Sequence, residues 1–442
     1  MSNTPSSQLS GWGRLFQPGV ELQPDDLLHA PDVPLFRGLG RSYGDSSLPP
    51  ASRPTVVSTV RADRILSFDR STGMLRAEAG LSLSEINRLL LPRGWFVPVT
   101  PGTQFVTLGG MVAADVHGKS HHVDGCFGAH VRRLKMRVAS GRVLECGPDL
   151  ERELFCATVG GMGLTGHILE VEFPMRRVPS PWIWMESERV DDIDSYLTGL
   201  KDAAKSWPMT MGWIDCISRG ASMGRGILMK GRWAEAHEAP PRFPHQPNRL
   251  RVPFEVPEAV LNPLTVKAFN FGYFHAHLPK KKAGLVDPWS FFYPLDFVRD
   301  WNKGYGRRGF TQYQCVLPES AGLSAPRRFL ELLTARGGAS FLCVIKDCGP
   351  QGAGLLSFPM PGTSIALDIA VRDDTQALVD ALNEFVIGQG GRIYLAKDSF
   401  TRAEHFRQME PRLDSFLAVR RKWDPRLKLK SAQSIRLFGD PP

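Results

Sequence analysis

Apolar and polar positions along this chain keep two different periods, and the places where the period changes mark its predicted elements. Alternation appears first in ILSFD (65–69) and MLRAEAG (74–80), separated by turn residues 71–73, which predicts a β-hairpin. Ser82 and Ser84 are both candidate N-caps for a helix with apolar face Ile86, Leu89 and Leu90, stopped by Pro92 and Gly94. VRRLKMRVASGRVLEC (131–146) alternates on both sides of Ser140-Gly141 and predicts a second hairpin. ERELF gives a short helix packing Leu154 and Phe155, and HILEVEF (167–173) a closing strand. From about Pro179 the strands become aromatic: WIWMESE and TMGWIDCIS (210–218) flank a helix over 191–204. FLCVIK (341–346), SIALDIAV (364–371) and GRIYLAKD (391–398) read as strands, with a helix near 375–387. Strands and helices in this order predict an α+β chain.

Between the first helix and the second hairpin the periodicity stops, at TPGTQFVTLGGMVAADVHGKSHH (100–122). Gly102, Gly109, Gly110 and Gly118 lie there among small residues, followed by His117, Lys119, His121 and His122. Glycine lets a backbone approach a ligand closely, and successive N–H groups in such turns hold anionic oxygens. VHGKS ends like a nucleotide phosphate loop, but the first glycine of that motif falls at Ala113, which excludes it. FRGLGRSYGDS (36–46) is a second such loop, between two β-rich runs rather than before a helix, so it is no Rossmann fingerprint. GGMGLTG (160–166) is a third.

The motifs RGLGRSYGD, PGTQFVTLGGMVAADVHGKSHH, ATVGGMGLTG and YLAKDS resemble those of the FAD-binding oxidases of the vanillyl-alcohol oxidase type, and most of all the decaprenylphosphoryl-ribose 2′-oxidase subgroup. The resemblance runs from GWGR (11–14) to RRKWDP (420–425). It implies a two-subdomain, PCMH-type FAD-binding domain over 1–176 and an α+β substrate domain over 177–410, flexible near 235–285. A segment over 411–442 then returns to the first domain. It implies FAD held by Arg37, Gly38, Leu39, Gly40, Arg41, Ser42, Tyr43, Gly44, Asp45, Gly102, Thr107, Leu108, Gly109, Gly110, Ala114, Asp115, Val116, His117, Ile168 and Tyr394, with 160–166 backing the adenine half. Lys397, His117 and Tyr43 take the catalytic positions, and Lys119, Trp213, Gln312, Gln314, Lys346, Ser364 and Ala366 the substrate pocket. A flavin oxidising an alcohol needs a group to take the hydroxyl proton and a cation to stabilise the negative charge that develops; Lys397 suits the second, and the first only if burial lowers its pKa.

Departures from the subgroup are equally specific. Arg41 stands where many relatives of the fold carry the histidine that links FAD, which implies a dissociable cofactor. Ala366 replaces the cysteine that nitroaromatic inhibitors capture, Ser364 an asparagine, and Phe292 a pocket tyrosine. The implied reaction is oxidation of a sugar secondary hydroxyl, C2 of polyprenylphosphoryl-β-D-ribose, a separate reductase completing the epimerisation to arabinose. The alternatives are an oxygen-using oxidase of free sugars or alditols, and a non-catalytic flavoprotein subunit.

Composition adds bounds. A net charge of +9 fits an anionic partner, with nucleic acid excluded by the absence of any recognition motif. Seven scattered cysteines without C-x-x-C spacing point to reduced thiols and no metal site, and no run is apolar enough to span a bilayer. The expected location is cytoplasmic, with peripheral contact on the inner face of the membrane as an added expectation. That addition comes from residues 254–278, rich in large apolar side chains and followed by Lys280, Lys281 and Lys282. Core packing, a lid, a membrane-surface patch and disorder all stay open for this stretch.

Overall fold

The computed structural model describes residues 8–246 and 250–442. Positions 1–7 and 247–249, which fall in the expected first domain and the proline-rich excursion, lie outside the described residues. Three sheets carry the fold. Val20–Leu22, Thr55–Ser58 and Leu35–Arg37 form a small parallel sheet with Thr55–Ser58 at its centre. The two predicted hairpins join through His167–Pro174 into a five-stranded antiparallel sheet. An eight-stranded sheet, antiparallel in every pair, occupies the second half. Helices and sheets thus segregate as expected for the α+β, PCMH-type fold.

The first helix, Leu83–Leu90, is capped by Ser82, whose hydroxyl accepts the Glu85 N–H, a contact worth about 1 kcal/mol. Its buried face is Leu83, Ile86, Asn87 and Leu90, so Asn87 takes the place expected of Leu89. The reason is a partner distant in sequence: the Asn87 amide donates to the Tyr293 hydroxyl at 3.0 Å, which also contacts Thr100 Oγ1 at 2.7 Å.

Two predicted strands end early. TMGWIDCIS is a strand only over Met209–Ile214, because Asp215 turns inward to accept from Arg225 (3.0 and 3.1 Å) and Asn270 (2.8 Å). GRIYLAKD is a strand only over Arg392–Ile393. Beyond it the chain folds into a turn in which Lys397 N–H donates to Tyr394 O and the Asp398 carboxylate accepts from Thr401 N–H, both at 2.9 Å. The strand expected at 341–346 lies at Cys343–Cys348.

The last helices are joined to the first half. Arg420, fully buried, donates to Asp440 at 2.8 and 2.6 Å, and Lys422 pairs with Glu153 at 2.6 Å. On Ala432–Phe438, Arg436 holds Asp45 with two bonds of 2.8 Å and Asp398 with a third of 2.8 Å. One guanidinium therefore ties the first glycine-rich loop to the turn that carries Lys397.

Candidate active site

The first two glycine-rich loops meet where their sequences demand it. A Cβ on Gly38 would fall 2.3 Å from Thr107 Oγ1, so only glycine lets the loops touch. Thr107 Oγ1 in turn accepts the Gly110 N–H at 3.3 Å and starts the short helix Leu108–Ala113. Arg37 braces the first loop by donating to Ser47 O at 3.0 Å and Ser10 O at 2.7 Å.

These loops form one wall of a cavity of about 870 Å³, which passes the third glycine-rich turn and ends on the large sheet. Of the expected cofactor residues, Arg37, Gly38, Leu39, Gly40, Arg41, Ser42, Tyr43, Gly102, Thr107, Gly109, Gly110, Ala114, Val116, His117, Ile168 and Tyr394 line it. Gly44, Asp45, Leu108 and Asp115 do not. Gly44 is pressed against Asp398, where a Cβ would sit 1.8 Å from the carbonyl oxygen. Asp45 faces Arg436, and Leu108 is core. Asp115, at φ +40°, accepts the Gly128 N–H at 2.8 Å and the Ser357 hydroxyl, and burial pushes its carboxyl up to about 6. Of the expected substrate residues, Lys119, Trp213, Gln312, Gln314, Lys346 and Ala366 line the cavity, while Ser364 stands behind, accepting from Gln314 at 3.2 Å.

Three lysines face this space. Lys119 is buried, not a surface charge, and donates to Phe292 O at 2.9 Å; burial, then Lys346, brings its ammonium down to about 7. Lys346 is also lowered by burial. Lys397 sits with Nζ 3.7 Å from the centre of the Tyr43 ring, a cation–π contact. Burial brings it down to about 7, opposed by Asp368 and aided by Lys346. Tyr43 is held in register with that turn, its N–H donating to Ala396 O at 2.9 Å, and burial keeps its phenol well above the ordinary range.

His117 is neutral, its pKa driven well below the usual value by burial and then by Lys346. Its Nε2 accepts from the Gln314 amide at 3.0 Å, which assigns the ring proton to Nδ1, a buried atom with no partner among the described residues. Three features therefore fit a bound FAD: the orphaned Nδ1, a glycine cradle in which a Cβ on Gly102 would meet no protein atom within 4 Å, and a cavity in the upper range of cofactor sites.

Sequence reading missed Asp368. It faces Gln312 across the strand pair Phe310–Pro318 and Gly362–Ala370, accepting from the Gln312 amide at 2.6 Å and from the Tyr305 hydroxyl at 2.7 Å. Burial pushes it up to about 6. The signal was there in SIALDIAV, since a lone acid inside an apolar strand must have buried partners. Asp296, which accepts from Thr103 Oγ1 at 2.7 Å and Gln104 N–H at 2.9 Å, was missed as well.

Comparison with known proteins gives this geometry its context. Residues 28–147 match the FAD binding domain family. The chain is 33% identical to the decaprenylphosphoryl-β-D-ribose oxidase of Mycolicibacterium smegmatis, over 96% of this chain and 95% of that protein. The chain belongs to the decaprenylphosphoryl-β-D-ribose oxidase family. It is an FAD-dependent oxidoreductase acting on CH–OH groups. An uncharacterised protein of Streptomyces coelicolor is 32% identical over 81% of this chain and 100% of its own length. The L-gulonolactone oxidase of Scyliorhinus torazame is 29% identical over 31% of this chain and 32% of its own. Among the described residues no helix is long and apolar enough to cross a membrane.

Proposed function

We propose that the enzyme oxidises C2 of a polyprenylphosphoryl-β-D-ribose to the 2-keto sugar, which a separate reductase then completes to the arabinose epimer. The observation that carries this reading is the convergence of Lys119, Lys346 and Lys397 with Gln312 and Gln314 in a cavity whose other walls include Met211, Trp213 and Met229. Cations suit a phosphate, amides suit sugar hydroxyls, and an apolar wall suits a prenyl chain. FAD, when bound, supplies the hydride acceptor; the protein supplies position and proton traffic. The Lys397 amine, neutral above about pH 7, takes the hydroxyl proton. His117 Nδ1–H serves as a fixed donor, while Lys119 and Lys346 hold the phosphate. The domain limits fitting this division of labour are 1–176, 177–410 and 411–442, and the enzyme works as a peripheral protein on the inner face of the membrane.

The reading is tested by turnover in air against free ribose, free alditols and short polyprenylphosphoryl ribose. Consumption of the phosphoryl sugar without comparable peroxide release from the alditols supports it; the reverse preference makes the enzyme an oxidase of free polyols.

FAD is held without a covalent link. Arg41 packs its guanidinium 3.8 Å from the Trp12 ring and offers no imidazole nitrogen to the flavin. Acid precipitation is expected to release all the yellow colour, and a pellet that remains fluorescent on a denaturing gel contradicts this.

Nitroaromatic compounds that need a cysteine at the position of Ala366 are expected not to inactivate the enzyme covalently. Ala366 lines the cavity, and no cysteine does among the described residues. Intact mass after turnover with such a compound should be unchanged, and an adduct refutes the expectation.

A further inference from the structure

Residues 250–286 build one feature that the chemistry of the site does not use. The helix Pro263–His275 is fastened by a single narrow stripe, Val266, Asn270 and Phe274. Asn270 donates to Asp215 at 2.8 Å and Ser340 O at 3.2 Å, and Phe274 packs with Trp213 and Ile227. The rest of the helix is exposed, and its large side chains there are mostly apolar: Leu264 is 75% exposed, Phe271 56% and Phe269, which packs against Phe341, 52%. Phe254 at 66% and Leu278 at 65% extend it at either end. Contiguous large side chains this exposed mark a surface that meets something else.

Two observations say what. The first is charge. Arg251, Lys267, Lys280, Lys281 and Lys282 stand against only Glu255 and Glu258 in the segment. Arg251, Lys280 and Lys281 pair with Asp300 (2.9 Å), Asp191 (2.9 Å) and Glu188 (3.1 Å), while Glu255 pairs with Arg14 and Glu258 with Arg372 (3.9 Å). Lys267 and Lys282 have no ion pair among the described residues. The second is continuity. Phe269 and Tyr273 both belong to this exposed helix and line the cavity, so the apolar surface runs into the mouth of the site.

We infer that the helix Pro263–His275 docks the enzyme on an anionic lipid bilayer, with the cavity mouth opening at the membrane surface. Apolar side chains enter the headgroup boundary while the lysines meet acidic lipid. A substrate with a prenyl tail then reaches the site with its chain still in the bilayer; that purpose rests on the substrate proposed above, whereas the docking itself does not.

The test is sedimentation of the FAD-loaded enzyme with vesicles of phosphatidylcholine alone and of phosphatidylcholine with phosphatidylglycerol. Binding is expected only to the anionic vesicles and should weaken as salt is raised. The double variant L264S/F271S, whose side chains lie outside the cavity wall, should lose about tenfold or more in vesicle partition. The variant K267Q/K282Q should lose about tenfold as well. Both should retain wild-type flavin content, melting temperature and turnover of a short-chain substrate in detergent-free buffer. Absence of vesicle binding, equal binding to neutral vesicles, or binding unchanged in L264S/F271S would overturn the inference. So would a wild-type dimer in sedimentation velocity that L264S/F271S dissolves, since a second copy would then cover the helix. If instead vesicles bind but no polyprenylphosphoryl sugar is oxidised, the docking stands and the substrate is wrong.

Discussion

Lys397→Met is expected to keep its FAD and to slow flavin reduction by substrate about 10²–10⁴-fold. The lower figure is typical for losing a preorganised electrostatic partner, and the upper for losing a general base. Flavin occupancy should survive because the glycine-rich loops are braced by Arg37 and Thr107, which do not contact the lysine. Stability should survive too. A lysine brought down to about 7 by burial binds fewer protons in the folded than in the unfolded state between about pH 7 and its ordinary value near 10.5. Folding stability therefore rises with pH across that window, and at neutral pH the buried ammonium is a burden that methionine removes. The melting temperature at pH 7 should be equal or higher. In the wild type, reduction should speed up as pH rises through about 7, where the amine becomes free to accept a proton, and the variant should lack this limb. Lys397→Arg should not rescue, because guanidinium stays charged and is larger. Anaerobic stopped-flow across pH checks all of this. A Met variant within a few-fold of wild type would falsify the assignment of Lys397 to the chemistry.

Arg436→Met is expected to destabilise the protein by about 3–5 kcal/mol, because it leaves Asp45 and Asp398 buried without their cation. Asp45 is already raised above the usual carboxylate range, burial being the main cause. With the guanidinium gone, the Asp45 carboxyl loses the partner that opposes its burial and favours the protonated form in the folded state. The variant's deficit should then be greatest at neutral pH and shrink in acid as Asp45 takes up its proton, the reverse of ordinary acid destabilisation. Activity should fall as well, since Arg436 ties the Tyr43 loop to the Lys397 turn. Urea denaturation of wild type and variant at several pH values measures the gap. A gap that is small, or that widens in acid, means that the two carboxylates find other partners.

The two residues show why some of this site was legible in the sequence and some was not. Loops 36–46 and 100–122 could be read because their constraint is local: glycine is required wherever backbone touches backbone or ligand, as at Gly118 against the Thr100 carbonyl. The hairpins were equally legible, since period-two alternation is fixed by one buried face. The turn at 394–398 was not. I-Y-L-A alternates like a strand, and what bends it is Asp398, held by Arg436 from a helix 38 residues further on. Asp368 was hidden in the same way, its partners Gln312 and Tyr305 lying 56 and 63 residues away in sequence. For Lys119 the resemblance gave the pocket but the chain around it gave no sign of burial; Phe292, whose carbonyl it meets, is 173 residues distant. Periodicity reports which face of an element is buried, whereas long-range polar pairs decide where elements end and what reaches the cavity.

The most direct test is anaerobic mixing of the FAD-loaded enzyme with a short-chain polyprenylphosphoryl-β-D-ribose, with free ribose and alditols as comparison, followed by identification of the product. The expected result is rapid loss of oxidised-flavin absorbance with the phosphoryl sugar alone, yielding one 2-keto sugar per flavin reduced. A flavin that stays oxidised with the phosphoryl sugar but bleaches with a free alditol would contradict the proposed substrate.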